Sequence, residues 1–298
     1  MAGQPVELGV LDAPLAIESA FELPPNRFRL LARSLEIWLP VGFLLVMAGA
    51  CFLWPVIHKI PSPVAADLAQ PNLAPLTPHH LFGTDNVGYD VFSRILYGGR
   101  VSLEVGFGTA FLGLVGGGMI GTLAAYYGGA IEAVIMRILD VLLSFPSLVL
   151  AITIATYLGP SELHVIWAIS FFAVPAFARL SRAGTLQLRE STFVLASKLV
   201  GTRDRRMILR HIAPHVVPPL MTFALLGVAI AISIEAALSF LGLGVPPPEP
   251  SWGNMIATGQ QYLYSDPDLV IIPSAFLAAT VAAVNLLGDA LRARWGML

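Results

Sequence analysis

Two stretches of this chain, Ile37 to Ile57 and Val105 to Ala125, each run 21 residues without an Asp, Glu, Lys or Arg. At ~1.5 Å per residue a helix of that length covers ~30 Å, the thickness of a bilayer's hydrocarbon core. Four more apolar segments read as spans: about Ile131 to Leu158, Leu163 to Ala178, about His215 to Leu243, and Leu269 to Gly288. The third carries Arg137 and Asp140 in its first part and Pro146 as a kink. Composition agrees, since 12% of residues are charged where soluble domains carry ~25%. The expected architecture is an all-α integral membrane protein of six transmembrane helices. Cys51 is the single cysteine and lies in the first run, which excludes a disulfide framework and a Cys-based metal site.

Charge sets the orientation. Residues 1–36 are mixed polar sequence and end in Arg27, Arg29 and Arg33 before the first run, the pattern of an uncleaved anchor with its N-terminus inside. Six crossings then place both termini in the cytoplasm. On that assignment 14 Lys and Arg lie inside and only Lys59, Arg94 and Arg100 lie outside, as the positive-inside rule requires. The organisation expected is a cytoplasmic tail (1–36), a first span (37–57), an extracytoplasmic segment (58–100), a core of five spans (101–292) and a short tail (293–298). In the outer segment Val91, Ile95 and Leu96 fall at helical spacing beside Arg94, which predicts an amphipathic helix on the membrane surface. A second outer stretch, 244–268, contains the rigid turn GVPPPEPSWGNM.

Into this apolar chain is set a polar insert, Arg179 to His215, holding eight of the 17 Lys and Arg residues. Within it, FVLASKLVG followed by TRDRRMILRHIAP predicts a short helix, a break at Gly201, a second short helix and a stop at Pro214. Ala196 and Val200 share a face of the first helix; Ile208, His211 and Ile212 share a face of the second. Thr202 is placed to cap the second helix, with Asp204 in its first turn. Arginines near a membrane ordinarily meet anionic lipid headgroups, but lipid attraction requires none of this order. The pair of helices, at about 189–213, is a surface presented to something in the cytoplasm.

The small-residue helix, glycine, and later Ile and Pro resemble the cytoplasmic signature of ABC importer permeases. The chain most resembles the second permease subunit of the dipeptide/oligopeptide/nickel importers. The likeness is carried by GTDNVGYDVFSRILYGGRVSL, YYGGAIEAVIMRILDVLLSFPSLVLAI, the helix pair, EAALSFLGLGVPPPEPSWGNM and NLLGDALR, in order over residues 83–292. It departs in three places: Leu195-Ala196-Ser197 stands where the family has Glu-Ala-Ala, Tyr89 where it has Arg, and the tail RARWGML lacks Asp-Pro-Arg. The resemblance implies a type I ABC importer permease fold in a bacterial inner membrane, working by alternating access. The partners it implies are a homologous second permease, two ATP-binding cassette ATPases or one fused ATPase, an extracytoplasmic solute-binding protein and membrane lipid, with no nucleic acid. ATPase coupling would fall to Ala196, Ser197, Val200, Gly201, Thr202, Arg203, Asp204, Ile208, His211, Ile212 and Pro214. No cofactor is expected in this chain; ATP and Mg would be bound by the ATPases. The cargo implied is di- or oligopeptide, with nickel, haem or another solute as alternatives.

Other residues read as structural. Glu235, Glu104 and Arg100 come to one level near the outer boundary, where an interfacial ion pair is expected. Arg137 and Asp140 are i, i+3 and placed to pair; Asp289 and Arg292 repeat the spacing. Gly113, Gly117 and Gly121 form one stripe of the second span, a seam for close helix packing. The adjacent His79 and His80 make at most a weak nickel site. Neither lysine, Lys59 or Lys198, follows a phosphate-binding loop, and no hydrolase motif is present. A secondary transporter would carry broken helices with ionisable groups in both halves; only Asp140 with Pro146 resembles that.

Overall fold

The computed structural model describes residues 27–58 and 60–294, with side chains from 35 onward; its regular elements are helices, joined by an irregular segment at 60–90 that holds two isolated β-bridges. Parts of the tails at 1–36 and 293–298 fall outside the described residues. Helix α1 (Arg27–Ala48) passes through a π turn (Gly49–Leu53) into α2 (Trp54–His58). Helix α3 (Val91–Leu112) continues through a π turn (Gly113–Gly117) into α4 (Gly118–Tyr127). Then come α5 (Gly129–Leu143), α6 (Ser147–Leu158), α7 (Glu162–Arg189) and α8 (Thr192–Leu199). Helix α9 (Asp204–Met207) runs by a π turn (Ile208–Ile212) into α10 (Ala213–Phe240). A short α11 (Trp252–Gly259) and the long α12 (Asp268–Arg294) complete the described chain.

Five helical stretches are long and apolar enough to cross a membrane, and the bent pair α5–α6 supplies a sixth if it counts as one span. That pair is the main departure from the expected third span. Its halves meet at 86° because Pro146 has no N–H to continue the ladder and pushes Phe145 out of the helical region. The expected kink is a corner. The second span begins earlier than expected: Val91–Tyr127 is one stretch of 37 residues. Val91, Ile95, Leu96 and Arg94 are buried in its first turns, so the surface helix expected there is not formed. Arg94 made that stretch look amphipathic, yet its Nη1 donates to the carbonyls of Pro63 at 3.0 Å and Pro248 at 3.1 Å. The fourth span likewise runs past Ala178 to Arg189.

The glycine stripe is a seam against α7. A Cβ on Gly117 would lie 2.4 Å from the Val174 carbonyl oxygen, and one on Gly121 would lie 2.1 Å from that of Ala178. Only a residue without a side chain lets the two backbones approach so closely. The seam is pinned where Ser181 Oγ donates to the Gly118 carbonyl at 2.8 Å and lies 2.6 Å from Thr122 Oγ1. Helix α10 takes the centre: Val228, Ala229 and Ile232 pack with residues of α1, α3, α11 and α12, while Ala231 and Leu238 pack towards α6 and α7.

At one end of the molecule the elements are knotted together. Glu235 is fully buried and accepts from Ser102 Oγ of α3 at 2.8 Å and Ser239 Oγ at 2.7 Å. Trp252 is also fully buried, its indole N–H donating to the Ile95 carbonyl at 3.0 Å. Ser251 and Asn254 close a reciprocal cap on α11. The expected ion pair in this region forms between Arg100 and Glu104 at 2.8 Å, while Glu235 is held by hydroxyls instead. Arg137 and Asp140 do not pair with each other. Asp140 is taken by Arg179 of α7 at 2.6 Å, and Arg182 takes Glu132 at 2.6 Å, so α5 is tied across to α7.

Candidate functional site

The opposite end of the molecule carries the helix pair singled out by the arginine-rich insert. Its first helix, α8, follows a break at Glu190, and its last turn leads to Gly201 with φ +76°. A β-carbon there would meet nothing within 4 Å, so glycine is needed for its left-handed backbone and not for space. The chain then turns into α9. Arg203, not Thr202, occupies the N-cap position; the Thr202 N–H instead donates to the Ser197 carbonyl at 3.2 Å. Pro214 does not stop the helix. It follows closely on the π turn Ile208–Ile212, where the hydrogen-bond ladder already changes register and a residue without an N–H is accommodated, and the stretch from Asp204 runs on to Phe240.

Two kinds of residue make the corner. One kind fastens it to the rest of the chain. Val194, Met207 and Ile212 are fully buried in a cluster with Tyr126, Phe177, Val216 and Leu220, and Ile208 packs against it. Tyr126 Oη donates to Asp204 Oδ1 at 2.6 Å, Lys198 Nζ stands 5.3 Å from the centre of the Tyr126 ring, and Phe193 lies against His215. Arg189 Nη1 reaches the Ala125 carbonyl at 2.9 Å, tying the end of α7 to the end of α4. Ile212 was expected on the presented face with Ile208 and His211; it is an anchor, because one turn of that face is needed to hold the corner down.

The other kind points away from the protein. Leu199 is 89% exposed and Val200 81%, with Leu195 and Leu209 about half exposed. Ala196 is exposed, and Ser197, Thr202 and His211 are half-buried. Val200, Gly201, Arg203, Arg206, Arg210 and His211 line an open groove of about 1000 Å³. Tyr126, Val194 and Met207 were not singled out from sequence; the only signal was apolar residues interleaved with charge, which is ambiguous without the partner elements. The loop histidines are not a pair: His80 Nδ1 lies 2.8 Å from Asp90 Oδ1, and His79 is not part of that contact.

The described residues thus form a bundle of long apolar helices, tied together at one end and carrying a folded helix–glycine–helix corner at the other. The fold matches a solved inward-facing structure of the MetNI methionine ABC transporter with a TM-score of 0.55 and 20% identity, over 67% of this chain and 95% of that one. Residues 117–295 match the family described as binding-protein-dependent transport system inner membrane component. The dipeptide transport system permease protein of Alkalihalophilus pseudofirmus is 43% identical over 72% of this chain and 70% of its own. The glutathione transport system permease protein of Pectobacterium atrosepticum is 41% identical over 72% and 71%. The chain belongs to this family of inner-membrane components. It is a multi-pass permease subunit of an ABC importer and not itself an enzyme; such a subunit works with a partner permease, an ATPase and a binding protein.

Proposed function

We propose that this permease carries short peptides, and that the corner from Ala196 to Ile212 couples it to ATP hydrolysis in partner subunits. The cargo reading is supported by relatives named for dipeptide and glutathione transport, both short peptides. The coupling reading rests on one observation: a corner fastened from within by Val194, Met207 and Ile212 that still leaves Leu199 and Val200 almost wholly uncovered. Large apolar side chains held rigidly in the open mark a protein interface. The assembly proposed has one homologous second permease, two ATP-binding cassette subunits or one fused ATPase, and an extracytoplasmic solute-binding protein. ATP and Mg sit in the ATPases, and both termini of this chain lie in the cytoplasm. Closure of the ATPases moves the corner as a rigid body and reorients the spans between two states.

The test is to purify this chain, affinity-tagged, with its co-expressed partners and reconstitute it in liposomes. ATP-dependent uptake of a labelled dipeptide, competed by other short peptides but not by nickel or haem, is the expected result. Uptake of nickel or haem with no competition by peptides overturns the cargo reading. Purification without stoichiometric ATPase overturns the coupling reading.

A further inference from the structure

The corner carries more charge than its fastening uses. Arg203, Arg205, Arg206 and Arg210 are all exposed, and none of them joins an ion pair among the described residues. All four line the open groove beside Val200. The one nearby carboxylate at the helix start, Asp204, is already engaged by Tyr126. With Leu195, Leu199 and Val200 exposed between these arginines, the presented surface is apolar in its middle and positive around it.

Anionic lipid is the ordinary partner for such arginines, and the height of the corner argues against it. The apolar part of α7 ends at Arg179, and the helix runs on to Arg189 before α8 begins. Ten residues of helix rise ~15 Å, while the headgroup layer on each side of a bilayer is only ~5–7 Å deep. With the membrane boundary taken at Arg179 and α7 along the membrane normal, the groove stands beyond the headgroups, about a Debye length from the surface, where salt screens most of the attraction. Leu199 and Val200 at that height have no acyl chains to enter. An apolar centre with a charged margin, outside the membrane, is how protein interfaces are built.

We infer that the ATPase surface receiving this corner is acidic, with Asp or Glu side chains facing Arg203, Arg206 and Arg210 around an apolar slot for Leu199 and Val200. This rests on the coupling reading above and specifies its partner. Complementary charge would speed and orient docking, while burial of the two apolar side chains would supply the holding contact.

The experiment uses the complete co-expressed transporter in detergent, tagged on this chain, and measures ATPase retained per tagged chain as KCl rises from about 50 to about 500 mM. Wild-type retention should fall as salt rises. Arg206→Glu/Arg210→Glu should retain about tenfold less at low salt. Arg206→Lys/Arg210→Lys should behave as wild type, and Leu199→Ser/Val200→Ser should lose ATPase at every salt concentration. Melting temperatures equal to wild type separate a lost contact from a misfolded corner; if the double reversal melts early, Arg203→Glu and Arg210→Glu are tested singly in its place. A wild type that keeps its ATPases while the reversed variants keep them equally, with the same salt response, overturns the inference and leaves the coupling reading standing. Reversed variants that keep ATPase but lose binding to vesicles containing phosphatidylserine assign the arginines to lipid, and also overturn it. A wild type that retains no ATPase at any salt overturns the coupling reading itself.

Discussion

Adding one methyl group at Gly121 should separate α4 from α7, and adding one at Gly116, five residues away, should not. In Gly121→Ala the new carbon would lie 2.1 Å from the Ala178 carbonyl oxygen and 2.8 Å from its carbon. Both obstacles are backbone, so no rotamer change relieves them, and the helices must part by about 1 Å to restore ordinary contact. A gap of that size forfeits a quarter to a half of the dispersion along the seam, and overpacking of this kind costs ~1–3 kcal/mol. Alanine returns ~1 kcal/mol of helix propensity, which leaves a net loss of about 2 kcal/mol at the upper end of that range. At Gly116 the nearest neighbour of the added carbon is Val174 Cγ2 at 3.6 Å, an ordinary contact. There the propensity term acts alone and the change should be neutral or stabilising by up to ~1 kcal/mol. In a detergent melt of the purified permease, Gly121→Ala should lower the midpoint by about 4–8 °C and Gly116→Ala should hold or raise it. Equal midpoints for the two variants would show that the seam tolerates a side chain and that the close approach of α4 and α7 is not what the glycines are for.

Removing the carboxyl at the knotted end with Glu235→Ala should cost about 3–5 kcal/mol, since it opens a cavity and strands two buried hydroxyls, whereas Glu235→Gln can still bond Ser102 and Ser239 and should melt within a few degrees of wild type. Glu132→Gln should destabilise more than Asp140→Asn, because Glu132 is 15% exposed in its pair and Asp140 47%; equal melting losses would contradict that ordering. Gly201→Val should leave assembly of the two permeases intact but reduce ATPase retention, since a β-branched residue resists φ +76°, and full retention would refute a role for the turn. For topology, cysteines at Leu68 and Tyr264 in a Cys51→Ala background should react with an impermeant maleimide in intact cells and one at Val200 only after lysis, all three sites being exposed in the fold; the reverse pattern would invert the proposed orientation. Ser251 is unsuitable for such labelling because it is fully buried.

The spans were legible because charge-free runs leave a chain little choice in lipid. The glycine stripe was legible as a seam for a similar reason: lipid gives no reward for exposing glycine. What escaped the sequence were contacts made across helices. Arg137 and Asp140 have the spacing of an intrahelical pair, yet Arg179 approaches Asp140 from α7, and no periodicity within α5 encodes that. Arg94 looked like the polar side of a surface helix, and only the folded outer segment shows the carbonyls of Pro63 and Pro248 that receive it. At the corner, Gly201 was readable because its backbone angle is a local property. The division between Ile212 as anchor and Val200 as presented face depends on where Tyr126 and Phe177 lie, 86 and 35 residues before Ile212 in the chain, which local pattern could not supply.

The uninterrupted stretch from Asp204 to Phe240 has a mechanical consequence. Glu235, held by hydroxyls at one end, stands 31 residues from Asp204 at the other, a separation of about 46 Å along the axis. If the knot at Glu235 acts as a fulcrum, a tilt of about 10° sweeps the corner through roughly 8 Å, while the first turn beside the fulcrum moves by about 1 Å. Large strokes on the side of the corner can therefore accompany almost no displacement at the knot. Gain of this kind comes from the length of an unbroken helix and from where it is pinned, and shortening the arm would weaken it in direct proportion.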